Sequence, residues 1–111
     1  MDLEWKSLRS GIEEIKNMRE RDVEQKLRSE VEKRGGRCFK FLSSVSGVPD
    51  RLLLLPGGLV IFVELKKEGE KPRKLQEVQM RKIRELGFHV RVVDSEQGIQ
   101  ELMREIEDWK S

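Results

Sequence analysis

Two short apolar runs with a Pro-Gly-Gly between them constrain this chain more than any other stretch. Residues 50–55 read Asp-Arg-Leu-Leu-Leu-Leu, residues 56–58 read Pro-Gly-Gly, and residues 59–66 read Leu-Val-Ile-Phe-Val-Glu-Leu-Lys. Apolar runs this short, bounded by turn residues, are strands, and a tight turn folds one back on the other. Leu59 to Val63 is apolar at every position, so this strand is apolar on both faces. A strand of that kind is covered on both sides, as in an α/β sheet.

The turn also sets which residues meet. If the hairpin folds about Gly57, residues equidistant from it face each other, and Asp50 falls opposite Glu64. Their Cβ atoms would lie about 4.5–5.5 Å apart. Carboxylates that close repel, and a hard cation such as Mg²⁺, which takes carboxylate oxygens at about 2.0–2.1 Å, relieves the conflict. Glu64 and Lys66 share a strand face because side chains alternate. Two carboxylates and an ammonium on one patch suit metal-assisted attack on a phosphodiester. A two-residue Gly57-Gly58 turn would move Asp50 to a diagonal position, and a one-residue slip would part the carboxylates altogether. A surface hairpin with solvated charges fits the same spacing.

The remaining chain sets bounds. Its 111 residues suit one compact domain. Charged residues make up 40% and hydrophobic ones 36%, so the core is small. The net charge of +2 means that any nucleic-acid surface must come from local segregation of charge. Cys38 is the single cysteine and His89 the single histidine, which argues against zinc and against an internal disulfide. With neither a secretory signal pattern nor an apolar run of membrane-spanning length, a cytoplasmic protein is expected, with no membrane partner.

Periodicity predicts the other elements. Trp5, Leu8, Ile12 and Ile15 stripe a helix over residues 3–17. Val23, Leu27 and Val31 stripe a stronger one over 20–34, stopped by Gly35-Gly36. A strand follows over 37–42, then the hairpin, a charged loop over 67–73, a helix over 74–86 and a strand over 88–93. Asp94 is the candidate cap of a last helix carrying Ile99, Leu102, Met103 and Ile106. This order predicts a mixed central sheet with helices on both faces.

These residues resemble a family. Pro49-Asp50 and Glu64-x-Lys66 within the order α-β-β-β-α-β resemble the PD-(D/E)XK, restriction-endonuclease-like nuclease fold. Gly35-Gly36, Lys40-Phe41, Ser46 to Leu52, Pro56-Gly57-Gly58, Phe62 to Lys66, Leu75-Gln76 and Leu86-Gly87-Phe88 resemble its VRR-NUC group, the virus-type replication and repair nucleases. The resemblance covers about residues 18–100. Residues 18–111 are thus expected to form one VRR-NUC-like nuclease domain, with residues 1–17 an N-terminal helical extension and the last helix a C-terminal addition.

The resemblance implies Mg²⁺ or Mn²⁺ held by Asp50, Glu64 and the backbone carbonyl of Leu65. It implies that Lys66 positions or activates the attacking water, and that Gln76 serves the site from the following helix. It also implies a helical glutamate. Glu24 matches by its distance before Gly35 and is a further candidate metal ligand; Glu20, closer to the apolar stripe, competes with it. Lys40, Lys67, Arg73 and Lys74, with Lys71, are candidate contacts to a DNA backbone, diluted by Glu68 and Glu70. His89, Gln79, Trp5 and Trp109 read as structural.

The expected function is a metal-dependent DNA endonuclease leaving 5′-phosphate and 3′-hydroxyl ends. A homodimer acting on junctions or flaps in DNA replication, recombination or repair suits so small a chain. The alternative is a DNA-binding accessory module with weak or absent cleavage. An RNA-directed nuclease lacks an aromatic stacking platform.

Overall fold

The computed structural model of the chain describes residues 21–110. The expected helix over 3–17 lies outside the described residues. Residues 21–33 are helical (α1) and lead through the Gly35-Gly36 turn into β1, Arg37–Lys40. Next come β2 (Arg51–Leu55), β3 (Leu59–Leu65), α2 (Lys74–Glu85), β4 (His89–Val93) and α3 (Glu96–Lys110).

The four strands form one mixed sheet in the order β1-β2-β3-β4. β1, β2 and β3 run antiparallel in sequence, and β4 lies parallel to β3 after the α2 crossover. β2 pairs with β3 in the register set by a turn centred on Gly57: Leu55 opposite Leu59, Leu53 opposite Ile61, Arg51 opposite Val63. Gly57 and Gly58 both have positive φ, +83° and +78°, which a side chain would resist.

Alternation divides the sheet into two faces. Leu53, Leu55, Ile61, Val63 and Val93 join Val23, Leu27 and Val31 of α1 and Ile99, Leu102, Met103 and Ile106 of α3 in one core. The opposite face carries α2, whose Met80 is buried, and an aromatic series. Phe62 meets Phe41 and Phe88 edge to face, at centroid separations of 5.9 and 6.0 Å. α2 does not reach across this face, and Phe39 and Leu54 at its β1–β2 end are exposed.

Two details differ from the sequence reading. β1 ends at Lys40, although the Phe41 N–H still donates to the Asp50 carbonyl at 2.8 Å. Asp94 does not cap α3. Ser95 does, its Oγ accepting the Gly98 N–H at 3.1 Å, while Asp94 Oδ2 accepts the Gly69 N–H at 3.2 Å and holds the charged loop. The helix begins one residue later than expected, which transfers the cap to the next oxygen-bearing side chain.

Candidate active site

The register that buries Leu53 against Ile61 brings Asp50, just ahead of β2, opposite Glu64, near the end of β3. The two carboxylates are cross-linked through backbone. The Asp50 N–H donates to Glu64 Oε1 at 3.2 Å, and the Leu65 N–H donates to Asp50 Oδ1 at 3.2 Å. Each carboxylate therefore accepts from the other's strand, which fixes both.

Glu64 is 6% exposed. Burial, and then the neighbouring Asp50 charge, hold its carboxyl above the ordinary carboxylate range, against the pull of Lys66. Gln76 steadies it from α2. Its Oε1 accepts the Arg73 N–H at 2.8 Å, capping the helix, which turns its Nε2 to donate to Glu64 Oε2 at 2.9 Å. Lys66 Nζ lies 3.6 Å from Glu64 Oε2 and 3.6 Å from Glu70 Oε1, with its side chain only 9% exposed. The loop that delivers Pro49-Asp50 packs closely on the start of α2. A Cβ on Gly47, at φ +90°, would approach the Leu75 carbonyl oxygen to 2.8 Å.

Asp50, Glu64, Lys66 and Gln76 are thus brought together. Glu24 stands apart. Its Oε1 is 3.2 Å from Arg51 Nη2 and 3.6 Å from Arg28 Nη2, so Arg51 lies between it and Asp50. Glu20 lies outside the described residues. Lys40 is exposed and pairs in register with Arg51; Lys67, Lys71, Arg73 and Lys74 are exposed along the loop and helix start beside the site. Sequence reasoning missed Arg51, whose Nη1 lies 3.2 Å from Asp50 Oδ2. The signal was available: alternation puts a charged residue on the face of Leu53 and Leu55.

Among the described residues, no group of three or more His, Cys, Asp or Glu side chains is placed to hold a metal ion. The carboxylates of Asp50 and Glu64 make a hard oxygen donor set. Such a set suits Mg²⁺ or Mn²⁺ and not a thiophilic metal. The buried Glu64 carboxylate, repelled by the more exposed Asp50, is the part of this fold that a divalent cation would relieve.

No family model matches the chain. A protein of Acyrthosiphon pisum secondary endosymbiont phage 1 named "Putative nuclease p44" is 48% identical over 80 residues, 71% of this chain and 86% of the phage protein. A solved structure described as a VRR_NUC domain superposes with a TM-score of 0.73 at 33% identity, across 78% of this chain and 95% of that one. No helix among the described residues is long and apolar enough to cross a membrane. By its mixed sheet, its paired carboxylates and these two similarities, the chain belongs to the VRR-NUC family of nuclease domains.

Proposed function

We propose that this chain is a Mg²⁺- or Mn²⁺-dependent endodeoxyribonuclease whose site is built on Asp50, Glu64 and Lys66. The observation that carries the reading is the reciprocal backbone link between Asp50 and Glu64, with the Lys66 ammonium 3.6 Å from Glu64. Asp50, Glu64 and the Leu65 carbonyl are the proposed ligands; Glu24, engaged by Arg51 and Arg28, stands outside that set. A divalent cation there supplies charge for the phosphate oxygens and acidity for the attacking water. Lys66 orients that water and, as a cation, stabilises the negative charge that builds on the phosphate oxygens. Water oxygen bonds to phosphorus as its proton passes to solvent, the bond from phosphorus to the 3′ oxygen breaks, and that oxygen takes a proton from solvent, giving a 5′-phosphate and a 3′-hydroxyl. Gln76 keeps the Glu64 carboxylate from rotating away. Lys40, Lys67, Arg73 and Lys74 follow the DNA backbone through their charge.

The proposed substrate is branched or structured DNA, in replication, recombination or repair, and the acting form a homodimer. One small domain offers little surface to a junction. Phe39 and Leu54, exposed on the open end of the sheet face, give a second copy apolar surface to cover.

The test is a panel of labelled four-way junction, flap, nicked, duplex and single-stranded DNA in Mg²⁺, Mn²⁺ or EDTA, beside Asp50→Ala. Cleavage of branched DNA by the wild type in either metal, absent in EDTA and in the variant, is expected. Binding without cleavage in both metals would favour the accessory-module reading. Light scattering should give the mass of two chains, and a monomer both free and on DNA would remove the dimer.

A further inference from the structure

Arg51 is the least expected side chain in the molecule. It occupies a core position on β2, between the chain's functional end and the sealed face of Leu53 and Leu55, and its side chain is only 10% exposed. Its Nε is buried without a hydrogen-bond partner among the described residues. Taking a guanidinium out of water is costly, and an apolar side chain of similar size would fill the seam between α1 and the sheet without that cost. What an apolar residue could not do is touch two carboxylates at once. Arg51 Nη1 reaches Asp50 Oδ2 at 3.2 Å and donates to the Asp50 carbonyl at 3.0 Å, while Nη2 reaches Glu24 Oε1 on α1 at 3.2 Å.

We propose that Arg51 is a positioning residue: through its planar fork, Glu24 on α1 fixes the Asp50 carboxylate beside Glu64. The inference rests on the reading that Asp50 and Glu64 take a divalent cation. Asp50 has two oxygens. Arg51 holds Oδ2, which leaves Oδ1 aligned on the Leu65 N–H and toward the Glu64 strand. The guanidinium is itself aimed by Glu24, which is in turn held by Arg28 at 3.6 Å. Glu24 therefore acts on the site through Arg51. A lysine could keep the charge but not the geometry, because a single ammonium is a point charge and cannot bridge both carboxylates as a fork does.

The sign of one measurement separates positioning from simple charge. Coulomb's law alone says that deleting a cation this near Asp50 tightens a divalent cation. Positioning says that it loosens one. Mn²⁺ affinity is read by electron paramagnetic resonance on the metal-free protein, without DNA, for wild type, Arg51→Met, Arg51→Lys, Glu24→Gln, the Arg51→Met/Glu24→Gln double variant and Asp50→Asn. Circular dichroism melts check the fold of each.

Arg51→Met is expected to weaken Mn²⁺ binding about 10–100-fold, the usual effect of removing a group that orients a metal ligand. Arg51→Lys should weaken it too, which keeps the test alive if Arg51→Met does not fold. Glu24→Gln should weaken it less, and the double variant should match Arg51→Met alone. Tighter or unchanged binding in both Arg51 variants overturns the proposal, as does a double variant whose losses add. Wild type that takes no Mn²⁺, or Asp50→Asn that takes it equally well, overturns the underlying metal-site reading as well, a result distinct from loss in the Arg51 variants alone.

Discussion

On one side of β3, Ile61 and Val63 are sealed beneath α1 and α3 with none of their surface exposed; on the other, Phe62 and Glu64 look toward α2 and an open end of the sheet. The residues alternate along one strand, yet the two faces serve different ends. The sealed face is apolar at its centre, Arg51 enters it at the start of β2, and along β4 His89 stacks on Trp109 and Arg91 pairs with Glu105 of α3; this face carries most of the apolar burial. The α2 face is held by edge-to-face aromatic contacts and a helix that does not span it, and it carries a buried carboxylate that repels its neighbour. A fully buried apolar layer on one side lets the other keep a costly arrangement of charge in place.

The largest expected effect lies on the open face. Glu64→Gln should cut cleavage by about a thousandfold or more, since losing an ion's hold on the phosphate forfeits several kcal/mol. In the metal-free protein the same change has two opposed effects: it removes a buried charge, and it sets an amide N–H against the Asp50 N–H or the Gln76 amide and takes a carboxylate from Lys66. The pH dependence follows from the raised carboxyl of Glu64. The folded chain holds that proton longer than the unfolded one. Its stabilising contribution is full below the ordinary carboxylate range and is lost as pH rises through the folded value. The melting temperature of Glu64→Gln relative to wild type should therefore rise with pH and then level off.

Ile61→Ala tests the sealed face. It should cost about 2–5 kcal/mol in urea denaturation, as large-to-small changes in a packed core do. Gln76→Ala removes the clamp on Glu64 and one cap of α2; metal affinity should fall about 10–100-fold, with a smaller loss of stability. Phe88→Ala, on the half-covered aromatic edge, should cost less than Ile61→Ala, because the ring is 44% exposed and its edge-to-face contact adds only about 0.5–1.5 kcal/mol. Leu86→Lys should stay within about 0.5 kcal/mol, the side chain being 76% exposed. A loss at Leu86 as large as that at Ile61 would break the distinction between the two faces.

Much of this contrast could be read in the chain itself. Gly57 centres the hairpin, and the core pairing of Leu53 with Ile61 then leaves Asp50 and Glu64 in register. The helices striped by Val23, Leu27 and Val31 and by Ile99 to Ile106 place their apolar faces where the period requires. The rest depended on contacts between distant segments. Nothing local distinguishes Ser95 from Asp94 as the cap of α3; the Gly69 N–H, arriving from another loop, takes Asp94 away. Arg51 reads as a strand residue beside a motif until α1 brings Glu24 to it. The double use of Gln76 appears only once its oxygen is committed to the helix start and its nitrogen to the carboxylate.

The most direct test of the account compares wild type with Lys66→Ala on a labelled four-way junction in Mn²⁺ and in EDTA, with melting curves showing both proteins folded. Cleavage confined to wild type in Mn²⁺ is the predicted result. Cleavage that persists in EDTA, or in Lys66→Ala at the wild-type rate, would contradict it.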